Sequence, residues 1–187
     1  IGASLSASGS RLNPNAPPHK RNSGAGAGGM NSNQKLDEEV LWNVFVQLII
    51  GMRSIHMNYN NAIRTVDVDH IIVTPLPSSS VSSLATVLPR VRFNCVGILD
   101  VLELESRKTV ADLQKEDVFK LAQVIITLGL KIPSPTISKS MLVEQHFPYF
   151  QQLYSANLCQ LIESILTYEI TSVASLSMHA LVVPRVY

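Results

Sequence analysis

The sequence predicts an α+β fold that is mainly α-helical, in a chain of 187 residues. Apolar residues recur at helical spacing over residues 35–57, over 114–131 and again from about 155. Two short β-branched segments, 70–74 and 90–96, separate the first helix from the second. We therefore expect a helical body that carries one small hairpin-like pair of strands.

The first 33 residues have a different composition from the rest of the chain. They hold six of the nine glycines and three of the ten prolines, and their three basic residues and lack of acids give a charge of +3. Such a segment buries too little apolar surface to offset the entropy of ordering it. We expect 1–33 to be a Gly/Ser/Pro-rich disordered linker or insertion, and 34–187 to be the folded domain, with a charge of −2.

Composition argues against several classes of protein. The net charge of +1 gives no global electrostatic case for binding nucleic acid or a membrane surface. The two cysteines lack CxxC spacing, so neither a disulfide framework nor a cysteine zinc site is expected, and a reducing compartment fits better. No apolar run reaches the roughly 18–20 residues that cross a bilayer.

The helices are justified by their inward-facing residues and their ends. Acidic residues 37–39 open the first helix, where the helix dipole favours them. In the second helix one face carries Val118, Leu121, Ala122 and Ile125. In the third, the residues expected to face inward are Leu158, Leu161, Ile162, Ile165 and Leu166. A short helix is expected within 138–147, and a helix is favoured over a strand in 172–183.

This order of elements resembles the C-terminal lobe of a protein kinase. Residues 62–73, "AIRTVDVDHIIV", match the catalytic loop and the strand after it, and "NCVGILD", 94–100, matches the metal-binding turn through Gly97. Thr65 stands where a kinase has its catalytic Asp, His70 replaces the magnesium-binding Asn, and Cys95 replaces the second magnesium-binding Asp. Magnesium prefers hard oxygen ligands, and a threonine hydroxyl is no base near neutral pH. The resemblance therefore implies no catalytic residues and no metal ligands.

Other residues of this frame are expected to be structural. Asp117 matches the kinase Asp that braces the catalytic loop. Arg64 could bind a phosphorylated activation loop as in active kinases, but a structural salt bridge is favoured. Cys95 alternates with apolar residues, so a buried structural thiol is favoured over a reactive one, and Cys159 is expected in the core. His56 is interpreted as the end residue of the first helix, placed favourably for the dipole.

Four stretches indicate one family among the degenerate kinases: 41–56, 94–102, 113–125 and 154–167. Together they look like the pseudokinase subunit, subunit 3, of poly(A)-nuclease deadenylation complexes, and the likeness extends over 36–187. The stretch "NCVG" after an apolar strand is its most specific element.

The resemblance implies a non-catalytic scaffold. Such subunits recruit the exonuclease subunit for shortening of mRNA poly(A) tails, form homodimers through a coiled coil, and bind ATP without hydrolysing it. They also bind poly(A)-binding protein and microRNA-silencing proteins, poly(A) RNA is a further candidate partner, and the cytoplasm and P-bodies are the expected location. The resemblance covers only the kinase-like C-terminal lobe, and this lobe is incomplete. We find no counterpart of the N-terminal lobe, the Gly-rich loop, the coiled coil, the knob domain or the CCCH zinc finger.

The nucleotide contacts of the family are altered here. Asp69 and His70 occupy the place of a Ser/Thr-Lys pair that touches ATP in the family. A carboxylate repels phosphate and His is a weaker cation than Lys, so we expect weakened ATP binding. Two alternatives stay open: an atypical protein kinase with relocated metal ligands, and an unrelated helical protein-interaction module.

Overall fold

The structure is a computed structural model that describes residues 35–74, 88–102, 108–132 and 138–186. The segment 1–33, which we predicted to be a linker, lies outside the described residues. The elements in chain order are α1 (Glu38–Arg53), a π-helical turn (Ser54–Asn58), a 3-10 turn (Val68–His70), β1 (Ile71–Thr74), β2 (Arg90–Phe93), α2 (Ile98–Leu102), α3 (Val110–Leu130), α4 (Lys139–Met141), a second π-helical turn (Leu142–His146), α5 (Phe147–Leu153), α6 (Ala156–Leu166), α7 (Val173–Ser177) and α8 (Val183–Val186).

Side-chain caps set where the three long helices begin. The carboxylate of Asp37 accepts a hydrogen bond from the backbone N–H of Glu39 at the start of α1. Thr109 and Ser155 cap α3 and α6 in the same way. Helix α3 ends at Lys131, which takes a left-handed conformation with φ of 53°. All three helices match the predicted ones, although α3 begins four residues earlier than the apolar spacing indicated.

These three helices supply most of the core. The inward-facing residues predicted for α3 and α6 are buried, as are Leu41, Phe45, Leu48 and Met52 of α1. Helix α1 and the turn that follows form a helical stretch of 21 residues, Glu38–Asn58, with a hydropathy of 1.3, which is long and apolar enough to cross a membrane by length and composition. The stretch is not an uninterrupted apolar run, because it contains Gln47 and Arg53. Its apolar face packs inside the protein, so its hydropathy follows from its place as a core helix.

The two strands form an antiparallel pair that rests on α1. Ile71 lies opposite Phe93, and Val73 lies opposite Val91. Gln47 of α1 accepts a hydrogen bond from the Val91 N–H at 2.9 Å and donates one to the Pro89 carbonyl at 2.8 Å. The second strand ends at Phe93, three residues before the predicted end, and this shift changes the surroundings of Cys95.

Candidate functional site

The loop 62–70 and the turn 94–97 lie side by side, and we call these two segments the loop frame. The backbone N–H of Asn94 donates to the carbonyl of His70 at 2.8 Å. The hydroxyl of Thr65 lies 3.5 Å from the carbonyl oxygen of Cys95 and 3.3 Å from that of Ile63. The structure therefore brings Cys95 next to the loop that holds Thr65 and His70, although Thr65 and Cys95 are 30 residues apart in sequence.

Asp117 of α3 is the acceptor around which the loop frame is organised. Its side chain is fully buried. One carboxylate oxygen accepts the Arg64 N–H at 2.8 Å, and the other accepts the Ile63 N–H at 2.6 Å and lies 3.0 Å from His56 Nε2. A buried carboxylate is tolerated only when hydrogen bonds and opposite charge compensate for lost hydration. The hydrogen bonds to Asp117 thus fix the backbone of residues 63 and 64.

Two residues of this arrangement were missed by sequence reasoning. His56 lies in the last turn of the first helical stretch, as predicted, but its ring is buried and lies 3.0 Å from Asp117, a contact that was not predicted. Lys120 of α3 donates to the Arg64 carbonyl at 2.9 Å. Their partners lie 61 and 56 residues away, so no local pattern signals either contact.

Three residues of the loop frame have left-handed backbone conformations. The φ angles are 63° at Arg64, 58° at Cys95 and 80° at Gly97. Glycine adopts this region freely, whereas the other two pay a steric cost of roughly 1–3 kcal/mol each in strained positions. At Arg64 the hydrogen bonds to Asp117 and Lys120 on both sides of the residue hold the backbone in place. The guanidinium-bearing side chain of Arg64 is buried.

The nucleotide-contact pair predicted from the resemblance lies on the 3-10 turn that leads into β1. Asp67 caps this turn, with its carboxylate 3.4 Å from the Asp69 N–H. Asp69 is exposed, and His70 is half-buried. The Nδ1 atom of His70 is shielded from solvent and has no hydrogen-bond partner among the described residues. Over the same part of the chain, no three His, Cys, Asp or Glu side chains gather as a metal site would require.

Comparison with known proteins shows which family the chain belongs to. No protein-family model matches the chain. The PAN2-PAN3 deadenylation complex subunit PAN3 of Aspergillus fumigatus is 30% identical over 130 residues, which is 70% of this chain and 17% of that protein. The subunit of the same name from Aspergillus clavatus is 31% identical over 123 residues, or 66% of this chain and 16% of the relative. The chain belongs to the PAN3 family.

Solved structures agree with this assignment. The structure of the Neurospora crassa PAN3 pseudokinase matches 73% of this chain and 30% of its own, with a TM-score of 0.55 and 25% identity. PAN3 (pseudokinase and C-term) in complex with Neurospora crassa PAN2 (WD40-CS1) shares the fold at a TM-score of 0.65 and 24% identity, over 82% of this chain and 35% of that one. The prediction of an incomplete kinase-like C-terminal lobe is therefore confirmed. This PAN3-family chain spans about a sixth of the length of its curated relatives.

The two cysteines of this PAN3-family chain differ in their surroundings. Cys159 is buried in α6, as predicted, and burial together with Glu38 and Glu163 raises the pKa of its thiol. The expectation that Cys95 is a buried strand residue was wrong. Cys95 lies two residues beyond the end of β2 and is half-buried, in the turn before α2, where its backbone is left-handed with φ of 58°.

Proposed function

We propose that the chain forms part of a non-catalytic regulatory subunit of a poly(A)-nuclease deadenylation complex. The names of its relatives and of the pseudokinase structures support this proposal. The observation that carries it is the loop frame, where Asp117 braces the backbone of the loop that holds Thr65 and His70, beside the turn that holds Cys95. The shape of a kinase loop is kept with side chains that do not suit phosphoryl transfer.

Each of the three substitutions removes a separate requirement of that reaction. The Thr65 hydroxyl does not accept a proton from a substrate hydroxyl near neutral pH, so a general base is missing. His70 and Cys95 offer nitrogen and sulfur where magnesium takes oxygen ligands. An atypical kinase would need to draw its base and its metal ligands from other positions.

As a regulatory subunit, the protein would act through binding. We propose that it brings the exonuclease subunit, PAN2, to polyadenylated mRNA for tail shortening in the cytoplasm and in P-bodies. By family resemblance the intact protein forms a homodimer and binds poly(A)-binding protein, microRNA-silencing proteins and poly(A) RNA. ATP is the proposed nucleotide of the family cleft, and Asp69 and His70 weaken its binding here.

Copurification tests the proposal. The full reading frame that contains this chain is coexpressed with the exonuclease subunit of the same organism, and the complex is assayed on RNA with a poly(A) tail. We expect the two proteins to copurify and tail removal to proceed faster with the complex than with the exonuclease alone. Failure to copurify, with both proteins folded, would contradict the proposal.

A phosphoryl-transfer assay separates this function from the kinase alternative. The same protein is incubated with magnesium and labelled ATP, alone and with a generic protein substrate. We expect no turnover above that of a heat-treated sample. Magnesium-dependent turnover that is lost on changing Asp67→Asn would instead establish an atypical kinase with relocated ligands.

A further inference from the structure

We propose that a cationic cavity beside Arg64, together with the exposed apolar surface of α2, binds a peptide of another protein. The peptide would carry one anionic side chain, phosphorylated or carboxylic, with apolar residues on either side. This site is distinct from the nucleotide-contact pair and does not depend on the proposed role in deadenylation.

The cavity has a size that suits a single anionic group. It measures about 210 Å³ and lies between the loop frame, α2 and the first half of α3. Arg64, Lys108 and Lys120 line it with positive charge, and Leu99 and Leu113 supply apolar walls. Pockets that enclose drug-sized ligands measure about 300–1,000 Å³, so this cavity is too small for a nucleoside triphosphate.

The charge of the lining favours an anion. Three cationic residues face two acidic ones, so the lining carries a net charge of +1. Glu116 forms an ion pair with Lys108, and Asp117 is buried beneath its three hydrogen bonds. The ammonium of Lys120 donates to the Arg64 carbonyl, while an ammonium has three donors. A phosphate or carboxylate entering the cavity would therefore meet charged donors, the strongest class of hydrogen bond.

The apolar half of the proposed surface adjoins the cavity directly. Leu99, which lines the cavity, belongs to α2, and the same short helix exposes Ile98, Val101 and Leu102 to solvent. The exposed fractions of Val101 and Leu102 are 72% and 71%. Val96, on the turn before α2, is also exposed. Clustered apolar exposure of this kind marks interaction surfaces, and here it points to apolar residues beside the anionic group of the partner peptide.

Fluorescence anisotropy on the full chain tests this proposal with three short labelled peptides. They are identical except at one position between leucines, which holds phosphoserine, glutamate or serine. We expect at least one anionic peptide to bind about tenfold more tightly than the serine peptide, because the charged hydrogen bonds are lost with serine. The ratio between phosphoserine and glutamate identifies which anionic group the site takes.

Matched variants locate the binding. Lys120→Met should weaken the binding of the anionic peptide about tenfold, and Lys115→Met, on the exposed face of the same helix, should leave it unchanged. Val101→Asp should weaken it as well, whereas Met178→Asp, at an exposed residue on another element, should not. If Lys120→Met lowers the melting temperature, Lys108→Met replaces it, because the side chain of Lys108 is 56% exposed.

Three results would overturn the proposal. The first is equal affinity for the serine peptide and the anionic peptides, and the second is no binding of any of the three. The third is unchanged affinity in a folded Lys120→Met or Lys108→Met variant.

Discussion

The helical body of α1, α3 and α6 and the loop frame beside it are held together by different forces. In the body, apolar residues at helical spacing pack against one another, and each helix begins at its own side-chain cap. In the loop frame, two backbone N–H groups and His56 converge on the single carboxylate of Asp117.

This difference explains how a kinase-like loop can keep its shape when the side chains at its catalytic positions change. The groups that hold the backbone are backbone N–H groups, Asp117 and Lys120, and none of them is a catalytic group of a kinase. Thr65, His70 and Cys95 can therefore vary without removing the bonds that Asp117 and Lys120 make to the loop. Shape depends on one buried acid, whereas catalysis would depend on three other side chains.

Removal of Asp117 should have the largest effect, because it breaks the loop frame at its centre. Asp117→Ala leaves the N–H groups of Ile63 and Arg64 and the ring of His56 without their acceptor. We expect the free energy of unfolding to fall by about 3–5 kcal/mol, because three buried groups lose their partner and each unsatisfied group costs about 1–3 kcal/mol. Urea denaturation measures this, and hydrogen exchange at the amides of Ile63 and Arg64 should accelerate.

The control is the same substitution at an exposed aspartate of the loop frame, Asp69→Ala. Its effect on unfolding should stay within about 0.5 kcal/mol. Similar effects of Asp69→Ala and Asp117→Ala would show that the bonds to Asp117 do not hold the loop.

In the helical body, two glycines respond to the same substitution in opposite directions. A Cβ atom at Gly129 of α3 would lie 2.7 Å from the Phe150 ring and 3.0 Å from the Tyr154 ring. We expect Gly129→Ala to lower the free energy of unfolding by about 1–3 kcal/mol through overpacking. At Gly51 of α1 the nearest atoms are those of Phe93 at 3.4 Å, so Gly51→Ala should raise stability by up to about 1 kcal/mol through helix propensity. Thermal unfolding of both variants checks the signs, and a stabilising Gly129→Ala would contradict this packing.

A pH-dependent contribution comes from the contact between α1 and α6. Burial opposes ionisation of Glu38, but hydrogen bonds from the Ser155 hydroxyl and N–H and from Trp42 outweigh it, and the pKa of Glu38 lies below its ordinary value of 4.5. Because the pKa is lower in the folded state, the stabilisation is present above pH 4.5 and is lost as the pH falls through the folded-state pKa.

Urea denaturation across that acidic range should show a smaller loss of stability with falling pH for Glu38→Gln than for the unchanged chain. Glu39→Gln is the control, because Glu39 is exposed at the neighbouring position of the same helix. Equal pH dependence of stability in the unchanged chain and in Glu38→Gln would show that ionised Glu38 does not stabilise the protein.

The two regions also differ in how far their structure could be predicted from the sequence. Helical spacing predicted α1, α3 and α6 and their buried faces, because those signals lie within a few residues of one another. The loop frame required contacts between distant residues, and His56 and Lys120 were missed for that reason. Cys95 was placed in the strand because apolar residues alternate up to it, but β2 ends at Phe93 and Cys95 lies in the turn that follows.

The smallest effect on stability is expected at the proposed nucleotide-contact pair, Asp69 and His70. Replacing Asp69→Ser and His70→Lys together gives the residue types that the family places there. Removing a negative charge and adding a positive one near phosphate should each contribute about 1 kcal/mol at 4 Å in water. We expect ATP affinity, measured by titration with a fluorescent analogue, to rise at least about tenfold, with stability changed by less than about 0.5 kcal/mol.

A control substitution and one contrary result decide whether Asp69 and His70 contact the nucleotide. Glu163→Lys, on the exposed face of α6, also raises the net charge by two, so it is the control for nonspecific effects of charge and should leave affinity unchanged. If the unchanged chain binds ATP as tightly as the doubly substituted one, Asp69 and His70 do not face the phosphates. The loop frame would then resemble that of the family in backbone shape alone, because its nucleotide contacts would come from other residues.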